Sequence, residues 1–426
     1  MVAIAPFRAL RYNLDLTGDL SRVIAPPYDV IAPEEQERLY AVSPHNIVRL
    51  ILGKQFPEDT RRSNRYTRAQ ATFEEWRTAG ILARDDAPAI YLYEHRFAWE
   101  GQPLCRLGCV ALLRFEGSVP EQVLRHEATF EEPKADRTRL IEAVPANLSP
   151  IFFVYDDPAG QIHGLLAQAS RERAPLASVH LAQDEAVRIW AIQESEAIQR
   201  LTQGFAPVKV LIADGHHRFA VAWSKRERFG AVMGYFSWME DPAVRVRPIH
   251  RVIRGSSDEQ AGWAGRLKEL CRLKPVGSLE QLTGWLAGRD SEGQFGCYLD
   301  GRFYQASLQE GLLADWLLHP TVPLPLAGLD VTMLHEFLIP RLLESPGTGR
   351  STAGHATSAN PSCHYTPHPS EAIAMVEALQ GACAFLLRPI PLPQVFALAA
   401  QGLTLPQKTT YFYPKLLSGL FINPFD

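Results

Sequence analysis

The 426-residue sequence has no uninterrupted apolar run near the roughly 20 residues that a bilayer-spanning helix needs, so no membrane segment is expected. It has no lysine- or arginine-rich block, and its formal net charge is −4. Bulk electrostatics therefore argues against nucleic acid as a partner. It has no C-x-x-C pair; its six cysteines stand apart, which excludes a zinc knuckle or a thioredoxin-type redox pair and points to reduced, structural thiols. H-E-x-x-H and G-x-x-x-x-G-K-[ST] are also missing, so neither a zincin helix nor a Walker loop is present. The start, MVAIAPFRALRYN, reaches Arg8 before any apolar core forms, which is not the pattern of a signal peptide. A cytoplasmic globular protein of two or three domains is the expectation.

Periodicity predicts an α+β chain. Helical spacing runs through 65–82 and ends at Gly80, while 89–99 and 104–116 alternate as paired strands. Further strands are expected at 151–157, around AVRIWAI, at 208–213 and at AVMGYFSWM, with a helix over RFAVAWSKRERFG closed by Gly230. Beyond about residue 255 the texture changes. DEQAGWAGRLKELCRL and LDVTMLHEFLIPRLL read as amphipathic helices, and Asp300-Gly301 turns a hairpin. Two regions are expected: 1–255, an α+β unit, and 256–426, an α/β unit with a mobile loop at 345–362. The tail LPQKTTYFYPKLLSGLF, rich in donors and aromatics, should return to the functional site.

The segment VLIADGHHRFAVAW carries the strongest chemical signal. A β-branched strand meets a helix across Asp214, Gly215, His216, His217 and Arg218. The first turn of a helix has N–H groups without intrahelical partners, and with the dipole they attract anions. Gly215 permits a tight turn and close approach of a ligand. Arg218 can fork onto a phosphate or carboxylate, and the histidines can donate or carry protons near neutral pH. The plainer alternative has Asp214 capping the helix and Arg218 in a surface ion pair.

This Asp-Gly-His-His-Arg segment and its apolar helix resemble the phosphate-contacting motif of the ParB/sulfiredoxin superfamily. That superfamily includes nucleotide-binding partition proteins, ATP-using sulfiredoxins and a free-serine kinase. Over the whole chain, APPYDVI (25–31), SPHNIVRL (43–50), HEATFEEPKADR (126–137), IADGHHRFAVA (212–222) and LPQKTTYFYPKLLSGL (405–420) occur in that order. Together they resemble an uncharacterised prokaryotic family, domain of unknown function 1015. Two stretches depart from its pattern: Leu405-Pro406-Gln407-Lys408-Thr409-Thr410 stands where Met-Pro-x-Lys-Ser-Thr is expected, and WMEDPAVRVRPIHR replaces an aromatic, asparagine-rich stretch. The resemblance implies a ParB/sulfiredoxin-like strand–helix phosphate-binding core.

Within these motifs, Glu127 is a candidate general base or metal ligand and Lys134 or Arg137 a phosphate contact. Two prolines precede Tyr28 and Asp29, holding them as a site or merely as a turn. Asn46 and Arg49, three residues apart, share a helical face if that stretch is helical. Lys408, Tyr413 and Lys415 bring cations and a phenol to the tail, as a site or as a packing strip.

The leading expectation is phosphoryl transfer from ATP or another nucleotide with Mg²⁺ to a small hydroxylated metabolite. Gly215, His216, Arg218, Lys134, Arg137, Lys408 and Lys415 would bind the nucleotide, while Tyr28, Asp29, Asn46, Arg49 and Tyr413 would bind substrate. Glu127, Asp214 and His217 would do the chemistry, His217 accepting a proton from the substrate hydroxyl. A metal-dependent hydrolase built on His126, Glu127, Asp214, His216 and His217 is one alternative. A non-catalytic ParB-like nucleotide-binding protein is another.

Overall fold

The computed structural model describes residues 1–116, 119–254, 262–288, 292–343, 363–378 and 383–425. The expected loop at 345–362 lies outside the described residues. Contacts divide the chain into two compact units. The first takes Met1–Leu124, Thr129–Arg245 and Pro414–Asp426; the second takes Arg125–Ala128 and Val246–Tyr413.

The first unit is organised by a nine-stranded mixed sheet. In chain order its strands are β1 (Ile4–Ala5), β2 (Ile90–Trp99), β3 (Gln102–Arg114), β4 (Val123–Leu124), β5 (Ile151–Tyr155), β6 (Ala177–Ala182), β7 (Glu185–Ile192), β8 (Val210–Asp214) and β9 (Ala231–Trp238). They lie in the order β4-β8-β5-β9-β3-β2-β7-β6, with β1 added to β3. The pairs β8–β4 and β9–β5 are parallel and the others antiparallel. β2 and β3 are the long hairpin expected from the alternation at 89–116.

Three helices of this unit matter for the site: α1 (Arg65–Thr78), α2 (Glu131–Ala143) and α3 (His216–Ser224). α1 starts at a reciprocal cap, where the Asn64 side chain accepts from the first turn and Thr67 Oγ1 accepts the Asn64 N–H. Gly80, at φ +72°, follows its end. α2 begins at Glu131 with Pro133 in its first turn, where proline is tolerated. α3 packs Phe219 and Ala222 into a core shared with Phe153, Phe205, Ile212 and Phe236. Phe153 lies between Phe219 and Phe236, with ring centroids 6.3 and 5.0 Å away. Each buried ring of this kind contributes about 1.5–3 kcal/mol. The helix expected to run on to Gly230 is broken at Lys225 and resumes over Arg226–Phe229; Gly230, at φ +67°, ends it.

The second unit holds a six-stranded sheet of β10 (His250–Ile253), β11 (Cys271–Val276), β12 (Gln294–Leu299), β13 (Arg302–Leu308), β14 (Cys363–Thr366) and β15 (Cys383–Leu386). Their order is β11-β13-β12-β15-β10-β14, and every pair is antiparallel. The expected α/β character of this region is corrected: antiparallel neighbours need no helical crossovers. Asp300 and Gly301, both at positive φ, turn the β12–β13 hairpin. The helix expected through residue 273 spans Trp263–Leu270, and Cys271 onward joins the sheet as β11. The second amphipathic helix contains a π-helical stretch, Met333–Leu338.

Candidate functional site

β8 carries the candidate site at its carboxyl end. Val210 and Ile212 pair regularly with β5 and enter the core, but the register slips between Ile212 and Asp214, which pairs with Phe152. A bulge of this kind breaks the alternation that would otherwise carry Asp214 onto the core face. Gly215 follows at φ +98° and caps α3. A Cβ there would lie 2.9 Å from the Arg218 guanidinium, so glycine is required both for the backbone and for the arginine folded over it.

Arg218 is fastened at three points. It donates to Asp214 Oδ2 at 2.8 Å and to the carbonyls of Pro150 and Ser149 at 2.6 and 3.4 Å. Asp214 Oδ1 is ion-paired with Lys415 Nζ. One carboxylate thus gathers two cations at the start of a helix. Burial alone would raise the Asp214 pKa, but Lys415 and Arg218 outweigh it and hold the group well below the usual carboxylate range. Asp214 is ionised throughout the physiological range.

Lys415 is delivered by the tail. Pro414 accepts a hydrogen bond at 2.9 Å from Arg106, a fully buried arginine on β3. The Arg106 guanidinium lies 4.7 Å from the Phe152 ring centroid and 5.5 Å from that of Tyr235. Phe152 is the sheet partner of Asp214, so Arg106, Pro414, Lys415, Asp214 and Phe152 close a ring of contacts. Further on, Asn423–Pro424 pairs with Ala146–Asn147, and Leu420, Phe421 and Ile422 are buried. Sequence reasoning missed Arg106. The available signal was a lone arginine inside LCRLGCVALL, an otherwise apolar strand.

A second carboxylate is shared in the same way. Asp136 on α2 accepts from Tyr66 at 2.7 Å and is ion-paired with both Arg65 and Arg137. Arg137, buried, also donates to the Ile51 carbonyl at 3.0 Å and lies 3.7 Å over the Tyr28 ring. Burial raises the Tyr28 pKa, and the Arg137 charge opposes that rise. Asp29 itself is exposed.

The two histidines differ from expectation. His217 Nε2 accepts the backbone N–H of Phe130 at 3.0 Å, at the start of α2. In the neutral ring the proton then sits on Nδ1, so the lone pair needed by a general base is occupied. Accepting a substrate proton through Nε2, the role expected of His217, would first require that bond to open. His216 is buried.

Other predicted residues are placed elsewhere. Asn46 is fully buried; its amide donates to the carbonyls of Arg22 and Ile24, and its oxygen accepts from Val48 N–H. Arg49 donates to the Tyr40 carbonyl and lies 4.3 Å over the Tyr40 ring. These bonds clamp both residues to their own part of the chain. Lys134 pairs with Glu131 on the surface of α2. In the second unit, Glu127 accepts the Lys408 N–H at 3.3 Å and His126 lies 2.9 Å from Thr410 Oγ1. Lys408 is exposed and at φ +51°, while the Tyr413 ring faces Arg247 at 4.4 Å. The five candidate metal ligands divide between the two units. Among the described residues no group of three or more His, Cys, Asp or Glu side chains is placed to hold a metal ion.

Against known proteins, the family described as "Protein of unknown function (DUF1015)" matches residues 4–332. The chain belongs to that family. No curated protein matches it. Among solved structures it is similar to a free serine kinase in complex with AMP, at 13% identity over 68% of this chain and 84% of that one, with a TM-score of 0.32. It is also similar to a conserved hypothetical protein from Pyrococcus furiosus, at 13% identity, 70% and 89% coverage and a TM-score of 0.31. A third is SbnI with a C-terminal truncation from Staphylococcus aureus, at 13% identity, 72% and 85% coverage and a TM-score of 0.34. Among the described residues no helix is long and apolar enough to cross a membrane.

Proposed function

We propose that this protein binds the phosphate groups of a nucleotide at the start of α3 and transfers a phosphoryl group to a small hydroxylated acceptor. The observation that carries the reading is the convergence of Arg218 and Lys415 on Asp214 beside the Gly215 turn. A phosphate placed there meets first-turn N–H groups, a guanidinium fork and an ammonium. The likeness of the Asp-Gly-His-His-Arg segment to the ParB/sulfiredoxin phosphate motif supports the same reading.

Phosphoryl transfer asks mainly for positioning and for charge stabilisation, and these groups offer both. The incoming phosphate competes with Asp214 for its two cations. As Arg218 and Lys415 turn onto phosphate oxygens, the Asp214 carboxylate is released to take the proton of the attacking hydroxyl, whose oxygen bonds to the terminal phosphorus as the bond to the rest of the nucleotide breaks and that remainder leaves. His217, donating through Nδ1, orients a phosphate or substrate oxygen rather than taking its proton. Mg²⁺ would arrive on the nucleotide's own oxygens.

A thermal-shift panel of ATP, ADP, CTP and pyrophosphate, each with and without Mg²⁺, tests this. A ligand at 100 times its Kd stabilises by about 2.7 kcal/mol. Saturable stabilisation by at least one nucleotide, lost in Arg218→Met, is expected. No stabilisation by any of the four would overturn the reading.

A further inference from the structure

A cavity of about 60 Å³ lies in the first unit, walled by side chains from α2, α3 and β5. Its lining is mostly aliphatic, with Ile51, Leu140, Ile141, Leu148, Val221 and Val232 around it. By the space one water needs, this volume holds about four or five non-hydrogen atoms.

Five polar residues share the lining: Tyr28, Arg137, Asn147, Ser149 and Arg218. Both guanidiniums are already engaged. Arg137 holds the Asp136 carboxylate and the Ile51 carbonyl, and Arg218 holds Asp214 and the carbonyls of Ser149 and Pro150. Ser149 Oγ lies 2.6 Å from Ser418 Oγ. The Asn147 side-chain oxygen accepts from the Met233 N–H and from the Asn423 amide. What stays open is neutral. The Tyr28 hydroxyl bonds to no other described residue, and neither does the Asn147 side-chain N–H.

A phenol both donates and accepts, and an amide N–H donates, so together they call for a neutral hydroxyl carried on an aliphatic body. A carboxylate or phosphate would have to draw an arginine away from the carboxylate it already holds. An ammonium would meet two guanidiniums of its own sign. A second hydroxyl on the ligand would be stranded against aliphatic walls, where an unmade hydrogen bond is costly.

We infer that this cavity is a binding site for a neutral aliphatic alcohol of about four or five non-hydrogen atoms, its hydroxyl on Tyr28 and its chain against Ile141, Leu148 and Val221. Arg218 walls both the cavity and the α3 turn, so this alcohol sits beside the phosphate site. Its role as acceptor of the phosphoryl group rests on the nucleotide reading; its binding does not.

The test is a ligand-observed NMR titration of the full chain, without nucleotide, using ethanol, butanol, butyrate, butylamine and glycerol. Butanol is expected to bind saturably, at least tenfold more tightly than any of the other four. Tyr28→Phe keeps the ring beneath Arg137 and removes only the hydroxyl, so it should weaken butanol binding at least threefold. Ile141→Phe, which fills the cavity from a half-buried position, should abolish it. Circular dichroism checks that both variants are folded. Four results would each overturn the site: no saturable binding of butanol, equal or tighter binding of butyrate or glycerol, wild-type affinity in folded Tyr28→Phe, or binding that survives Ile141→Phe. These titrations contain no nucleotide and the nucleotide panel contains no alcohol, so failure of one reading is told apart from failure of the other.

Discussion

Lys415 and Asp214 form an ion pair across 201 residues of sequence, in a part of the molecule where each side chain is only 12–13% exposed. The pair turns the end of the chain into a component of the α3 turn.

Asp214→Asn should leave Lys415 and Arg218 together without their counter-charge. Loss of one partner of a buried pair costs about 3–5 kcal/mol. The pH dependence has a definite sign. The folded-state pKa of Asp214 lies below its unfolded value, so the stabilisation is complete above the unfolded value of about 3.9 and fades as pH falls below it. Urea unfolding of the two proteins should give a constant gap between pH 5 and 8 that narrows below pH 4. A gap that widened on acidification would contradict the assignment.

Gly215→Ala forces an L side chain into φ +98° and into contact with the Arg218 guanidinium. Strain of this type costs about 1–3 kcal/mol. Denaturant midpoints should register that loss, and phosphate or nucleotide affinity should fall with it because Arg218 is displaced. A substitution neutral in both respects would show that the turn adopts another conformation.

Arg106→Met should loosen Pro414 and expose Lys415. Amine acylation read by mass spectrometry is expected to modify Lys415 several-fold faster in the variant than in wild type, with the sheet still folded by circular dichroism. Equal reactivity would mean that Arg106 supports packing alone.

His217→Ala removes the acceptor of the Phe130 N–H, whereas His217→Gln can still accept through its side-chain oxygen. Hydrogen exchange at the Phe130 amide should accelerate in the alanine variant and stay near wild type in the glutamine variant. Equal acceleration in both would show that the imidazole acts by its shape and not by this bond.

The α3 turn was legible because a β-branched strand, a glycine and an apolar helix are local signals, and four polar groups stood between them. The hairpin at 90–114 was legible for the same reason. The surroundings of Asn46 were not legible, because its spacing to Arg49 describes a helix face, whereas its amide holds the distant carbonyls of Arg22 and Ile24. His217 was placed at the correct helix end, but its partner Phe130 lies 87 residues away and nothing near the motif announces it. Arg106 was invisible because only tertiary packing reveals a guanidinium between Phe152, Tyr235 and the Pro414 carbonyl. The sharing of Asp136 by Arg65 and Arg137 likewise joins two helices, α1 and α2, that periodicity treats separately.

Calorimetric titration of Mg·ATP into wild type, Arg218→Met and Lys415→Met tests the central claim most directly. The expected result is saturable binding by wild type, weakened by roughly 2–4 kcal/mol in Arg218→Met, as for loss of a buried charged partner, with a measurable loss in Lys415→Met. Equal affinity in all three proteins, with each variant still folded, would contradict a phosphate site built on the cations that meet at Asp214.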